Sequence, residues 1–254
     1  MTDILLSAFA LSLVLLSINS YFGLEIIRRG IIFTDLAIGQ MAALGAAVSL
    51  FALEGEYLYA ISLAFSLLGG LIIALISQRS KNVEAFIGLM YAFGFAGVYI
   101  LLSKSYHGME AFQKLMAADI LFTPAADIIK TAILYAALGL ILILLQKRAR
   151  GFYKDMLFFV TFAITVTSAV KLAGVLVLFA LLVAPALIGL SIKRGIPLVN
   201  AWIIGTVINI LAIAVSYRLD FPIGYTVVFF NALAALIVTA CVRNGNTTIK
   251  ASEA

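Results

Sequence analysis

Charged residues and cysteines are both scarce in this chain. Only 11% of its 254 residues are charged, and its single cysteine, Cys241, allows neither an internal disulfide nor a paired-cysteine metal site. The sequence contains neither an H-E-x-x-H zinc motif nor a G-x-x-x-x-G-K phosphate loop. We therefore expect that the chain is not an enzyme, and that any ATP hydrolysis it depends on is performed by a partner.

Apolar residues dominate instead. They make up 64% of the chain, and the mean hydropathy is +1.17, which is more apolar surface than an ordinary soluble domain can bury. The apolar runs are continuous rather than alternating, so they predict membrane helices and not a barrel. We predict an all-α fold, a polytopic helical bundle in the lipid bilayer, with one transmembrane domain over residues 1–243. Residues 244–254 are predicted to be a short, polar and disordered cytoplasmic tail.

The apolar runs predict eight or nine crossings, because about 20 apolar residues span a bilayer. Region 156–190 leaves the number open, since only Lys171 and Gly174 interrupt it. It could form two short helices with a tight turn, or one span followed by a broken or re-entrant piece. The other runs are 4–24, 31–53, 57–77, 83–103, 128–145, 196–217 and 223–242.

The basic residues predict the orientation. The net charge of +5 is interpreted as basic cytoplasmic loops and not as nucleic-acid binding. With nine crossings and the N-terminus outside, most of the 17 basic residues fall on the cytoplasmic side. These inside residues are Arg28, Arg29, Arg79, Lys81, Lys147, Arg148, Arg150, Lys154, Lys193, Arg194, Arg243 and Lys250.

Asp35, in the second run, is the most informative residue. A charge at the centre of a membrane helix costs roughly 2.5–3.5 kcal/mol, and such residues usually face a bundle interior or a water-filled path. Asp35 is therefore predicted to attract or bind a metal ion on a polar route. The alternative is a carboxylate near the headgroups, or one paired with Arg28 or Arg29. Gln40 lies about 140° round the helix from Asp35; it either lines the same path or forms an interhelical hydrogen bond.

A polar connection follows the fourth run. Within it, 109–118 could form a short amphipathic interfacial helix with Phe112, Leu115 and Met116 on one side. His107 and Glu110 could bind zinc or manganese, since imidazole and carboxylate suit these metals. Two ligands are too few for a closed metal site, so a solvated loop histidine is the alternative interpretation.

Several segments carry a family resemblance over about residues 21–240. In their order and spacing they resemble the permease subunit of bacterial ABC importers for zinc, manganese and iron. The segments are Arg28-Arg29 with Asp35 and the Ala/Gly-rich stretch to Ala47; Glu84 with Ile87-Gly88 and Tyr91-Ala92; Asp119-Ile120-Leu121-Phe122; Val170 to Leu176 with Leu182 to Ala186; and Asp220 to Gly224.

The resemblance implies a homodimer in the bacterial inner (plasma) membrane, with a translocation path between its subunits. It also implies cytoplasmic ABC ATPase subunits, an extracytoplasmic metal-binding protein, and a divalent metal ion as the transported substrate with no covalently bound cofactor. In the family, an Asp in span two is followed four residues later by His. Asp35 matches that Asp, but position 39 is glycine and Gln40 comes one residue late.

A second difference from the family is the brief segment 146–155, where relatives have a longer connection that docks on the ATPase. Two other functions stay open from the sequence. One is a stand-alone secondary cation carrier or channel, and the other is a non-transporting membrane scaffold.

Overall fold

All regular secondary structure in the part of the chain that the structure describes is helical. The computed structural model describes residues 2–78, 82–104, 107–116, 120, 123–145, 151–192 and 194–251. The helices are α1 (Thr2–Arg29), α2 (Thr34–Ala52), α3 (Leu58–Ser77), α4 (Val83–Leu102), α5 (Gly108–Met116), α6 (Ala125–Leu145), α7 (Phe152–Ala173), α8 (Val175–Ser191), α9 (Pro197–Leu219) and α10 (Ile223–Ala251).

Eight of the described helices are long and apolar enough to cross a membrane, which confirms the predicted all-α membrane bundle. A ninth apolar helix, α8, has 17 residues, and rises about 26 Å at 1.5 Å per residue. Region 156–190 therefore forms two helices. Gly174 separates them with a φ of 85°, a backbone conformation that favours glycine, so the break lies at this residue.

Contacts at the helix ends show that α1 and α3 both run antiparallel to α7. Arg29, at the end of α1, bonds to Asp155 near the start of α7 at 2.7 Å. Lys171, near the end of α7, lies over the ring of Tyr59 at the start of α3. The end that holds Arg29 and Asp155 is called the basic end here. It coincides with the predicted cytoplasmic side, and the directions of these three helices fit the nine-crossing arrangement.

Helix α2 runs through the interior of the bundle, and its small residues make this possible. A Cβ at Gly45 would lie 2.7 Å from the carbonyl oxygen of Ile61, so α2 and α3 touch backbone to backbone. The hydroxyl of Ser62 donates a 2.7 Å hydrogen bond to the carbonyl of Ala42 and satisfies that buried hydroxyl. The close contact at Gly45 and the hydrogen bond between Ser62 and Ala42 together hold α2 at the centre of the bundle.

Helix α5 overlaps the predicted amphipathic helix, of which residues 117 and 118 lie outside the described part of the chain. Its apolar side packs on protein, and its position at the membrane surface stays a prediction. The ring of Phe112 contacts Phe95 and Tyr99 of α4 at centroid distances of 5.7 and 5.8 Å, and Met116 is buried. Aromatic contacts of this kind hold α5 against α4.

The helical backbone of α10 continues to Ala251, past the predicted end of its span. The disordered cytoplasmic tail over residues 244–254 stays a prediction. The domain boundary at residue 243 stays a prediction.

Gly45→Ala tests the close approach of α2 to α3. The added methyl would meet backbone atoms of Ile61 and Ser62, which cannot move without shifting α3. We expect the free energy of unfolding to fall by about 1–3 kcal/mol, measured as the thermal midpoint in detergent. Gly139→Ala is the control, since nothing lies within 4 Å of its Cβ position. Equal midpoints for the two variants would contradict the packing described.

Candidate functional site

Asp35 is enclosed by protein near the basic end of the bundle. It lies in the first turn of α2, and only 1% of its surface is exposed. Neither carboxylate oxygen has a hydrogen-bond partner. The positive end of the α2 dipole offsets part of the cost of a charge there. The rest of that cost remains, because a buried polar group without a partner is unfavourable.

The proposed pairing of Asp35 with Arg28 or Arg29 is wrong. Arg29 bonds to Asp155 at 2.7 Å and lies 3.9 Å from Glu25, while Arg28 lies 3.4 Å from Glu25. The guanidinium of Arg29 also covers the ring of Phe158. Asp35 is near the end of its span, as the headgroup alternative supposed, but protein covers it instead of headgroups.

Gln40 is buried on a contact between helices. Its amide nitrogen lies 3.8 Å from the sulfur of Met116, which joins α2 to α5. A Cβ at Gly94 of α4 would lie 2.8 Å from the Gln40 Cβ, so α4 packs closely on the same residue. The amide oxygen has no hydrogen-bond partner. These contacts fit the interhelical interpretation, and a role in binding metal stays a prediction.

Gly39 occupies the position of the family's histidine. A Cβ there would lie 3.2 Å from Val175 and 3.8 Å from both Val166 and Val170. The position therefore faces the apolar sides of α7 and α8. An imidazole placed there would displace packed valines before it could bind an ion.

Glu84 is a partly buried acid whose role the sequence did not predict. It lies in the first turn of α4, where Oε1 accepts a 3.2 Å hydrogen bond from the backbone N–H of Phe33, while Oε2 is buried without a partner. Glu84, Arg29 and Asp155 line a cavity of about 350 Å³ at the basic end. The sequence showed Glu84 only as part of a family segment, since its partner is 51 residues away.

His107 and Glu110 lie on the surface. His107 Nδ1 is 4.0 Å from Glu110 Oε2, and their side chains are 77% and 61% exposed. Among the described residues, no group of three or more His, Cys, Asp or Glu side chains could hold a metal ion. Metal binding by this pair stays a prediction.

The eight candidate spans of the described chain and the matching family model together define a multi-pass inner-membrane protein with the fold of an ABC transporter permease. The profile of the ABC 3 transport family matches residues 1–242, and the chain belongs to that family. No curated protein sequence matches the chain.

Two solved structures share the fold. PsaBC from Streptococcus pneumoniae in complex with Fab has a TM-score of 0.74 and 20% identity, covering 92% of this chain and 90% of that chain. A structure described as an inward-facing conformation of a metal-chelate type ABC transporter has a TM-score of 0.68 and 14% identity, covering 92% and 85%.

A histidine at position 39, where the family has one, is expected to destabilise this protein. Gly39→His places a ring among Val166, Val170 and Val175, so we expect overpacking to lower stability by about 1–3 kcal/mol. The thermal midpoint in detergent measures this, with Gly88→His as the control because its Cβ position is open. A stable Gly39→His variant with increased metal binding would show that the position faces the ion path instead.

Asp35→Asn is expected to separate stability from function. The amide keeps the shape and removes a carboxylate without partners, so the thermal midpoint should be at least that of the wild type. Asp155→Asn removes the negative charge that pairs with Arg29 and should cost about 1 kcal/mol. If Asp35→Asn were the less stable variant, Asp35 would be a structural residue.

Proposed function

We propose that this chain is the permease subunit of an ABC importer that moves a divalent metal ion into the cytoplasm. The ion would be zinc, manganese or iron, and a separate ATPase would drive the transport. The observation that carries the proposal is Asp35, a carboxylate enclosed within a membrane helix and without a hydrogen-bond partner. The family membership supports a transport role, and the description of one structure with this fold, a metal-chelate type transporter, supports a metal-containing substrate.

The reasoning behind the metal is electrostatic. An unpartnered carboxylate inside protein attracts a cation strongly, because little water screens its charge. Carboxylate and amide oxygens suit hard and borderline divalent ions, whereas soft ions such as Cu(I) prefer thiolates and thioethers. Asp35 supplies the carboxylate and Gln40 has a buried amide oxygen without a partner. Gln40 would join the site only after α2 or α5 moved, because its side chain now contacts Met116.

The proposed transporter contains two copies of this chain. A homodimer, with the ion path between the subunits, follows from the family resemblance. The ATPase would bind at the basic end, where the connection between α8 and α9 leaves Arg194, Gly195 and Ile196 exposed. A metal-binding protein outside the membrane would deliver the ion to the opposite end.

Metal uptake tests the proposal. In cells that lack the native gene, the wild-type chain, expressed with its proposed ATPase partner, should restore uptake of one of Mn²⁺, Fe²⁺ or Zn²⁺. We expect Asp35→Asn to lower the initial rate at least about tenfold at equal membrane abundance, since a charged ligand is lost. Asp127→Asn is the matched control, because this acid lies at the opposite end and pairs with Lys130 at 3.6 Å.

Three outcomes would contradict the proposal. Normal uptake by Asp35→Asn would remove Asp35 from the path. Transport by the purified chain alone in liposomes, driven by an ion gradient, would indicate a secondary carrier. No change in cellular content of the three metals upon gene deletion would favour a membrane scaffold.

A further inference from the structure

We infer that Glu84 is a second carboxylate ligand on the ion path, which receives the cation from Asp35 and releases it into the cavity at the basic end. The inference rests on the proposed function. It assigns a role to a residue of α4 whose side chain is only partly explained by the packing.

The backbone connects the two acids. Phe33 is the N-cap of α2, and its N–H is bound to Glu84 Oε1 at 3.2 Å. Asp35 follows two residues later along the chain. This single hydrogen bond therefore fixes the first turn of α4 against the first turn of α2, which is the turn that carries Asp35.

Three oxygens at this junction are buried and lack hydrogen-bond partners. They are both oxygens of Asp35 and Oε2 of Glu84. Buried carboxylate oxygens without partners are costly for folding, and helix packing alone offers no reason to keep them. A divalent cation between them would satisfy all three oxygens. The site would be built from oxygen alone, which suits Mn²⁺.

A cavity into which the ion could be released lies beside Glu84. The same residue lines the 350 Å³ cavity that Arg29 and Asp155 share, and the positive charge of Arg29 is held by Asp155 and Glu25. Arg29 has these partners, and Oε2 of Glu84 has no hydrogen-bond partner among the described residues. The cavity wall thus carries Glu84 and Asp155 at the predicted cytoplasmic side.

Conservative variants of Glu84 test the inference. Glu84→Gln keeps an oxygen that accepts the Phe33 N–H and removes the charge, so the thermal midpoint should not fall. We expect its maximal uptake rate for Mn²⁺ or Fe²⁺, in the cells used above, to be lowered at least about tenfold. Glu84→Asp keeps the charge and should recover part of the rate. Asp127→Asn should transport like the wild type.

A second measurement reports on the site directly. Equilibrium dialysis of the purified full chain against Mn²⁺ should show weaker binding for both Glu84→Gln and Asp35→Asn than for the wild type. Wild-type uptake and binding by Glu84→Gln would overturn the inference and leave the proposed function intact. The same would follow if Glu84→Asp transported no better than Glu84→Gln at equal abundance. Loss of the proposed function itself would appear as no metal uptake by the wild-type chain.

Discussion

Everything in this structure depends on how closely α2 can approach its neighbours. Gly45 lets α2 meet the backbone of α3, and Gly39 lets it meet the valines of α7 and α8. In a membrane, apolar side chains gain little by leaving lipid for protein, so contact of this kind between small residues holds helices together. Because α2 is enclosed on several sides, any polar group on it is shielded from both lipid and water. The packing thus leaves the Asp35 carboxylate buried and without a hydrogen-bond partner.

The sequence was sufficient to predict the crossings and the place of the acid within them. The length of an apolar run is a local property of the sequence, so the runs form helices nearly where they were expected. Region 156–190, whose number of helices the sequence left open, forms two helices because α7 ends at Gly174. The partners of the polar groups could not be found in this way. Phe33 and Glu84 are 51 residues apart, and Gln40 and Met116 are 76 apart. Such contacts depend on which helices become neighbours, and periodicity does not contain that information.

The segment before α6, which contains α5, also shows that the sequence does not predict which helices become neighbours. Its amphipathic pattern predicts one apolar face, and that face exists, with Phe112 and Met116 on it. Amphipathicity says that a face is buried but not whether lipid or protein covers it. Here α4 and Gln40 provide the cover, which places α5 in contact with the central helix. A movement of α5 would therefore change the surroundings of Gln40.

The absence of a histidine at position 39 can be understood from the same packing. A ligand at that position would need space on the face of α2 that meets α7 and α8, and the valines of those helices fill it. The chain instead places a second acid on α4, fixed by the N-cap of α2, at the end of the helix where the dipole favours negative charge. Oxygen ligands from two helices can separate when those helices move, whereas two ligands on one helical turn move together. A site divided between α2 and α4 would bind its ion in one arrangement of the bundle and release it in another, which is what alternating access requires.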